Sequence, residues 1–186
     1  MNKRTGRPLM IATFSRKIAA ARAMSTLDLG LILVCWVMLG VASLLLAVFP
    51  SRWVLRTLGS SIGPVSYAPA LENGRRGMVE RIAIAVAVAA RHAPFRADCY
   101  PQALTAAKLC RLFGIAHSVQ LGARFATAGT DRPGKLEGHV WVRAGALTIC
   151  GGAASPRQFG TVACFVHDPR SVAGEAADRA CAPKRR

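Results

Sequence analysis

The chain has 186 residues, which suits one domain with an ordinary core and a small extension. Hydrophobic residues make up 52%, high for a soluble protein, and 25 Lys/Arg against 9 Asp/Glu give a formal charge of +16. Such a charge favours anionic partners, but it is spread along the chain and aromatics are only 6%, so no specific nucleic-acid interface is expected.

Residues 1–26 carry Lys3, Arg4, Arg7, Arg16, Lys17 and Arg22 and no acid. The uncharged run Leu29–Phe49 follows, 21 residues long. That length allows a helix to cross a bilayer, and it exceeds a typical signal-peptide core. Basic residues flank it on both sides, with Arg52 and Arg56 after it, so the positive-inside rule assigns no orientation. Two readings stand: a membrane-associated helix, or a helix buried in the fold or in a partner complex.

Pro50 ends that helix. Residues 50–77 are rich in Pro and Gly and read as a connector, with one short helical piece near Trp53–Leu58. Met78–Arg91 reads as an Ala-rich helix, with Glu80 near its start and Arg91 in its last turn, both favourable to the helix dipole. His92, Ala93 and Pro94 stop it. Asp98 is then an N-cap that puts Cys99 at the first position of a new helix. Pro101 is tolerated there because first-turn N–H groups have no intrahelical partner. Cys99, Ala103, Ala106, Ala107, Cys110 and Phe113 recur at helical spacing, and Gly114 is a C′ residue.

From Ile115 the period changes to two. Val119, Leu121 and Ala123 alternate with Ser118, Gln120 and Gly122, which predicts a strand to about Phe125. Residues 126–137 form a polar loop. His139–Arg143 and Ala146–Cys150 read as a hairpin around Ala144-Gly145. Gly151-Gly152 turns the chain, Thr161–Val166 is a last strand, and the tail from Pro169 to Arg186 is basic and frayed. The organisation expected is therefore residues 1–77 as a basic, helical N-terminal region, 78–168 as the main domain, and 169–186 as a tail.

Six cysteines, Cys35, Cys99, Cys110, Cys150, Cys164 and Cys181, form no Cys-x-x-Cys pair and no zinc-finger spacing with a histidine. No metal or cofactor is implied. Free thiols in a reducing cytoplasm are expected, most of them buried and structural. Cys99 differs in place. A helix N-terminus favours the thiolate, and an imidazolium nearby favours it further. His139, on a strand, suits a rigid general base if the hairpin packs across the helix start. Cys150 is a weaker rival nucleophile. Cys110 and Cys164 lie at apolar-face positions, Trp141 reads as core, and His117 is expected to be exposed.

Several segments carry a family resemblance when taken in order. They are Arg91-His92-Ala93-Pro94, Asp98-Cys99-Tyr100-Pro101-Gln102-Ala103-Leu104, Leu112-Phe113-Gly114-Ile115, Leu121-Gly122-Ala123-Arg124, Gly138-His139-Val140-Trp141-Val142 and Gly145. Over about residues 78–166 this resembles the lasso-peptide biosynthesis B2 proteins, transglutaminase-like cysteine proteases related to the C-terminal domain of the microcin J25 maturation protease. The resemblance implies an α+β, transglutaminase-like or papain-like fold, with a Cys-bearing helix on a small antiparallel sheet. It implies removal of the leader from a ribosomally made precursor peptide, with Cys99 as nucleophile and His139 as general base. A separate leader-recognition protein and an asparagine-synthetase-like macrolactam cyclase would be the partners. The family orients its histidine with an acid about a dozen residues later. Here that position falls on Gly151 or, with a small shift, Ala153, and no Asp or Glu occurs between His139 and Asp168. The alternative reading is thus a catalytically impaired scaffold of the same fold.

Overall fold

A computed structural model describes residues 25–49, 58, 60–126 and 135–170. The first helix, α1, runs Thr26–Val48, capped by Ser25, whose hydroxyl accepts from the Asp28 N–H at 3.2 Å. Of the short helix expected near Trp53–Leu58 only Leu58, a buried residue, is described, and the basic tail beyond Arg170 lies outside the described residues. Within the expected connector, Ser60–Gly63 forms a strand, β1, because the edge of β5 offers it backbone partners. Helix α2 spans Arg76–Arg91. It starts two residues earlier than expected, so Glu80 lies in the second turn and accepts from Arg76 Nε at 2.9 Å instead of facing the N-terminus.

Helix α3 is Cys99–Leu112. It ends in a Schellman turn: the Ile115 N–H donates to Cys110 O at 2.7 Å and the Gly114 N–H to Arg111 O at 3.0 Å, with Gly114 at φ +62. Four strands follow: β2 (His117–Phe125), β3 (Leu136–Ala144), β4 (Leu147–Cys150) and β5 (Gly160–His167). A single turn, α4 (Ser155–Gln158), precedes β5. All pairings are antiparallel, in the order β1-β5-β2-β3-β4. The architecture is the expected α+β one, three helices on one face of a five-stranded sheet.

Strand alternation divides the sheet into two faces. Val119, Leu121, Val140, Val142 and Ala144 point to the helices and join a core with Ile82, Val86, Ala106 and Leu109. Helix α3 lies on β2, β3 and β4, and α2 lies on β4. Helix α1 forms an outer layer on α2 and α3, inserting Leu31, Cys35, Leu39 and Ala42, a stripe at helical spacing. Its other sides expose Leu33, Val37, Leu44 and Val48. By length and composition α1 is able to cross a membrane, and only 22% of its apolar window is buried.

Ser118 and Gln120, the polar members of the β2 alternation, are both fully buried. Residues 64–70 cover the face they share. Tyr67 O accepts from Ser118 Oγ and Gln120 Nε2, each at 2.6 Å. Gln120 Oε1 in turn accepts from Ser66 Oγ at 3.1 Å and Trp141 Nε1 at 3.0 Å. His117 is likewise fully buried, contrary to the expectation of exposure. The Schellman turn folds it back beneath α3, its Nδ1 lies 2.9 Å from Ile115 O, and its ring packs on His167 at 5.4 Å across the β2–β5 ladder. Burial pushes its pKa down to about 4.

Candidate functional site

Cys99 opens α3 as a free, half-buried thiol. Asp98 is the N-cap by position, yet its side chain makes no cap hydrogen bond and pairs with Arg96 at 3.6 Å instead. The turn is closed by other contacts. Gln102 Nε2 donates to Ala97 O at 2.7 Å, and Ser43 Oγ of α1 donates to Arg96 O at 3.1 Å. Phe95 packs on Trp36 at 6.0 Å, with its ring edge 3.5 Å from where a Cβ on Gly40 would stand. Helix α1 thus holds the segment that delivers Cys99. Pro101 has no N–H and the Gln102 N–H goes to Asp98 O, which leaves the Cys99 and Tyr100 N–H groups as first-turn donors.

His139 sits on β3, half-buried in an aromatic cluster with Phe159 at 5.0 Å and Trp141 at 6.2 Å, whose rings also lie 6.4 Å from each other. Its Nε2 is 2.7 Å from Gly151 O. A carbonyl only accepts, so Nε2 carries the proton and the lone pair of the neutral ring is on Nδ1. The partner of His139, 12 residues on, where an acid is expected from the resemblance, is thus a main-chain carbonyl. Ser155 Oγ donates to the same carbonyl.

Gly151 has φ +88, and a Cβ there would stand 2.6 Å from Val140 O and 2.5 Å from Trp141 Cβ. No side chain fits without moving backbone, so the absence of an acid at 151 is built into the packing. Ala153 is exposed.

The two candidate residues meet neighbouring positions at the end of the β3–β4 ladder. Cys99 is close enough to Cys150 to interact electrostatically, and His139 bonds the next residue, Gly151. They approach from different sides. Cys99 packs with the helix-side core, whereas His139 shares the opposite face with Trp141 and Gln120, in unbroken register with β2. Strands β3 and β4 pack on α3 through the core residues Val140, Val142 and Cys150, and at the helix start Cys99 interacts with Cys150. Among the described residues no hydrogen bond joins Cys99 to His139.

A sequence model described as the Transglutaminase-like superfamily matches residues 45–164, from the last turn of α1 into β5. The chain belongs to the transglutaminase-like superfamily. Comparison with curated proteins finds no match, and neither does comparison with solved structures. Cysteine nucleophiles belong to this superfamily's chemistry, which directs attention to the thiols. Cys150 and Cys110 are buried, and that burial pushes each up to about 12. A thiol so shifted is protonated at neutral pH, so neither rivals Cys99 as a nucleophile. Cys164 is also buried and shifted upward. Trp141 is fully buried, its Nε1 bonded to Gln120, and serves as core beneath the His139 ring. Sequence reasoning missed Gly151 O and Phe159. The Gly151-Gly152 pair was the available signal, since it marks a turn with φ values of +88 and +86 that exposes a carbonyl.

Proposed function

We propose that this transglutaminase-like chain is a cysteine endopeptidase that removes the leader from a ribosomally made lasso-type precursor peptide. The observation that carries the reading is the His139 Nε2 to Gly151 O bond of 2.7 Å, which makes Nδ1 the basic nitrogen of a histidine anchored one residue after Cys150, the neighbour of Cys99. In the reaction, His139 Nδ1 takes the proton from Cys99, and the thiolate attacks the carbonyl at the leader–core junction. The Cys99 and Tyr100 N–H groups donate to the oxyanion. The imidazolium then protonates the leaving amine, and water, deprotonated by His139, hydrolyses the thioester. Because the two side chains lie on different faces, substrate binding must turn the end of the hairpin to bring Nδ1 onto the sulfur.

In the same reading a separate recognition protein delivers the leader and an asparagine-synthetase-like cyclase takes the product. The enzyme is cytoplasmic and rests at the membrane through the uncovered apolar residues of α1. Cleavage of precursor, with the recognition protein present, should be lost in Cys99→Ala and fall by several orders of magnitude in His139→Ala. Full cleavage by Cys99→Ala would end the proposal.

One observation favours a second reading, a non-cutting scaffold of the same fold: His139 bonds a carbonyl instead of a carboxylate and makes no bond to Cys99. Loss of an orienting acid costs on the order of 10⁴ in rate in a serine protease. Iodoacetamide labelling separates the two. A peptidase labels Cys99 faster than a free thiol at pH 7, and a scaffold labels it at the free-thiol rate or slower.

A further inference from the structure

Helix α1 carries two stripes on opposite sides. Leu31, Cys35, Leu39 and Ala42 are buried against α2 and α3. Leu29, Leu33, Val37, Val41, Leu44 and Val48, three or four residues apart, form an exposed ridge on the other side. The helix has 23 residues and is about 34 Å long. Its one charged residue, Asp28, pairs with Arg81 of α2 at 3.3 Å, so no charge interrupts the ridge. An uninterrupted apolar surface of this length marks a face that meets something other than water.

The helix is tied to the domain along its length. Asp28 holds Arg81 near its start, Trp36 packs on Phe95 at 6.0 Å in its middle, and Ser43 Oγ donates to Arg96 O at 3.1 Å near its end. Standing across a bilayer in this state, it would draw Arg81 and Arg96 into hydrocarbon. Leaving the domain to span alone, it would uncover apolar residues of α2 and α3. The flanking charges point the same way. Six Lys/Arg precede the helix, Arg52 and Arg56 follow it, and residues 29–71 contain no acid. Basic flanks stay on the cytoplasmic side, so basic flanks at both ends hold both ends there. A second copy seated on the ridge would bring together two chains of formal charge +16, whereas an anionic leaflet attracts that charge.

We propose that α1 lies flat in the surface of an anionic lipid leaflet, with its exposed ridge among the acyl chains and both of its ends on the cytoplasmic side. The inference rests on the membrane placement in the reading above and specifies its lipid and geometry; it does not depend on the peptidase chemistry. The layers run sheet, then α2 and α3, then α1, so the sheet with His139 is turned away from the lipid.

The test floats the full chain with vesicles of phosphatidylcholine, alone or mixed with phosphatidylglycerol. Binding to the mixed vesicles should be at least about tenfold tighter and should weaken with salt. The double variant Leu33→Glu/Leu44→Glu, at exposed positions, should stay folded by circular dichroism and lose flotation. In cells expressing Asn2→Cys or Ser51→Cys, an impermeant maleimide, mapped by mass spectrometry, should label both positions in inverted vesicles and neither in spheroplasts. Equal binding to both vesicle types, or labelling of Asn2→Cys from outside spheroplasts, overturns the inference; the second result makes α1 a spanning helix. A dimer in sedimentation that floats with neither vesicle also overturns it and gives the ridge to a second copy. Failure of the peptidase reading looks different: Cys99→Ala cleaves the precursor fully, whatever the flotation result.

Discussion

Placing an aspartate at Gly151 looks like the repair that would give His139 its acid. The structure predicts that it damages the protein instead. At φ +88 an L side chain costs about 1–2 kcal/mol in backbone strain. The added Cβ would also stand 2.6 Å from Val140 O and 2.5 Å from Trp141 Cβ, contacts that only backbone movement relieves. Overpacking of that kind costs about 1–3 kcal/mol. Reduced freedom of the unfolded chain offsets roughly 0.4–1 kcal/mol of this. Gly151→Ala should therefore lose about 2–4 kcal/mol, a fall in Tm of roughly 5–15 °C for a chain of this size.

Gly152 provides the internal control. Its φ is +86, yet the nearest atom to an added Cβ is Ser155 Oγ at 3.7 Å, so Gly152→Ala carries strain without the clash. Urea unfolding of both variants, followed by tryptophan fluorescence, isolates the steric part, expected at about 1–3 kcal/mol. Gly151→Asp should be at least as unstable as Gly151→Ala and should not raise precursor cleavage. A Gly151→Ala variant within about 0.5 kcal/mol of Gly152→Ala would refute the packing argument. A stable Gly151→Asp with faster cleavage would refute the claim that the carbonyl has displaced the acid for structural reasons.

Two further predictions concern the buried polar groups. Gln120→Leu removes the acceptor for the fully buried Trp141 Nε1 and one of the donors to the partly buried Tyr67 O. It should destabilise the fold by about 2–4 kcal/mol in urea unfolding, and a loss below about 1 kcal/mol would contradict the network's role. His117 has its pKa lowered by burial from 6.5 to about 4. The unfolded chain therefore binds a proton that the folded chain does not, so this contribution is complete above pH 6.5 and is lost as pH falls towards 4. The loss amounts to about 3 kcal/mol. His117→Gln should flatten the acid limb of stability between those pH values, and an unchanged limb would show that other groups drive acid unfolding.

Much of the scaffold is legible in the chain because it depends on local signals. Asp98 and Gly114 punctuate helices through their own backbone preferences, and the Ala-rich and Leu-rich runs have no other stable use. The placement of Cys99 at a helix start follows from the same signals. Local signals do not report which face of a strand is covered. The alternation of Ser118 and Gln120 with apolar residues reveals two faces without revealing that residues 64–70 fold over one of them. His117, at the start of the strand, looks exposed because the pattern does not report the turn that folds it beneath α3. Glu80 is misplaced by only two residues, which is enough to move it from the dipole to an ion pair with Arg76.

The candidate site divides along the same line. Residue types and order alone determined that this chain carries a helix-start cysteine, a strand histidine and no acid within reach of it in sequence. Only the tertiary structure decided what replaces the acid. A carbonyl has no side-chain signature, and its exposure depends on the two positive φ angles at Gly151 and Gly152 and on the close approach of Trp141 beneath them. The side of the sheet from which His139 approaches was also decided by packing. Val140 and Val142 gain most by turning to the helices, and the two-residue period of the strand then carries His139 and Trp141 to the other face.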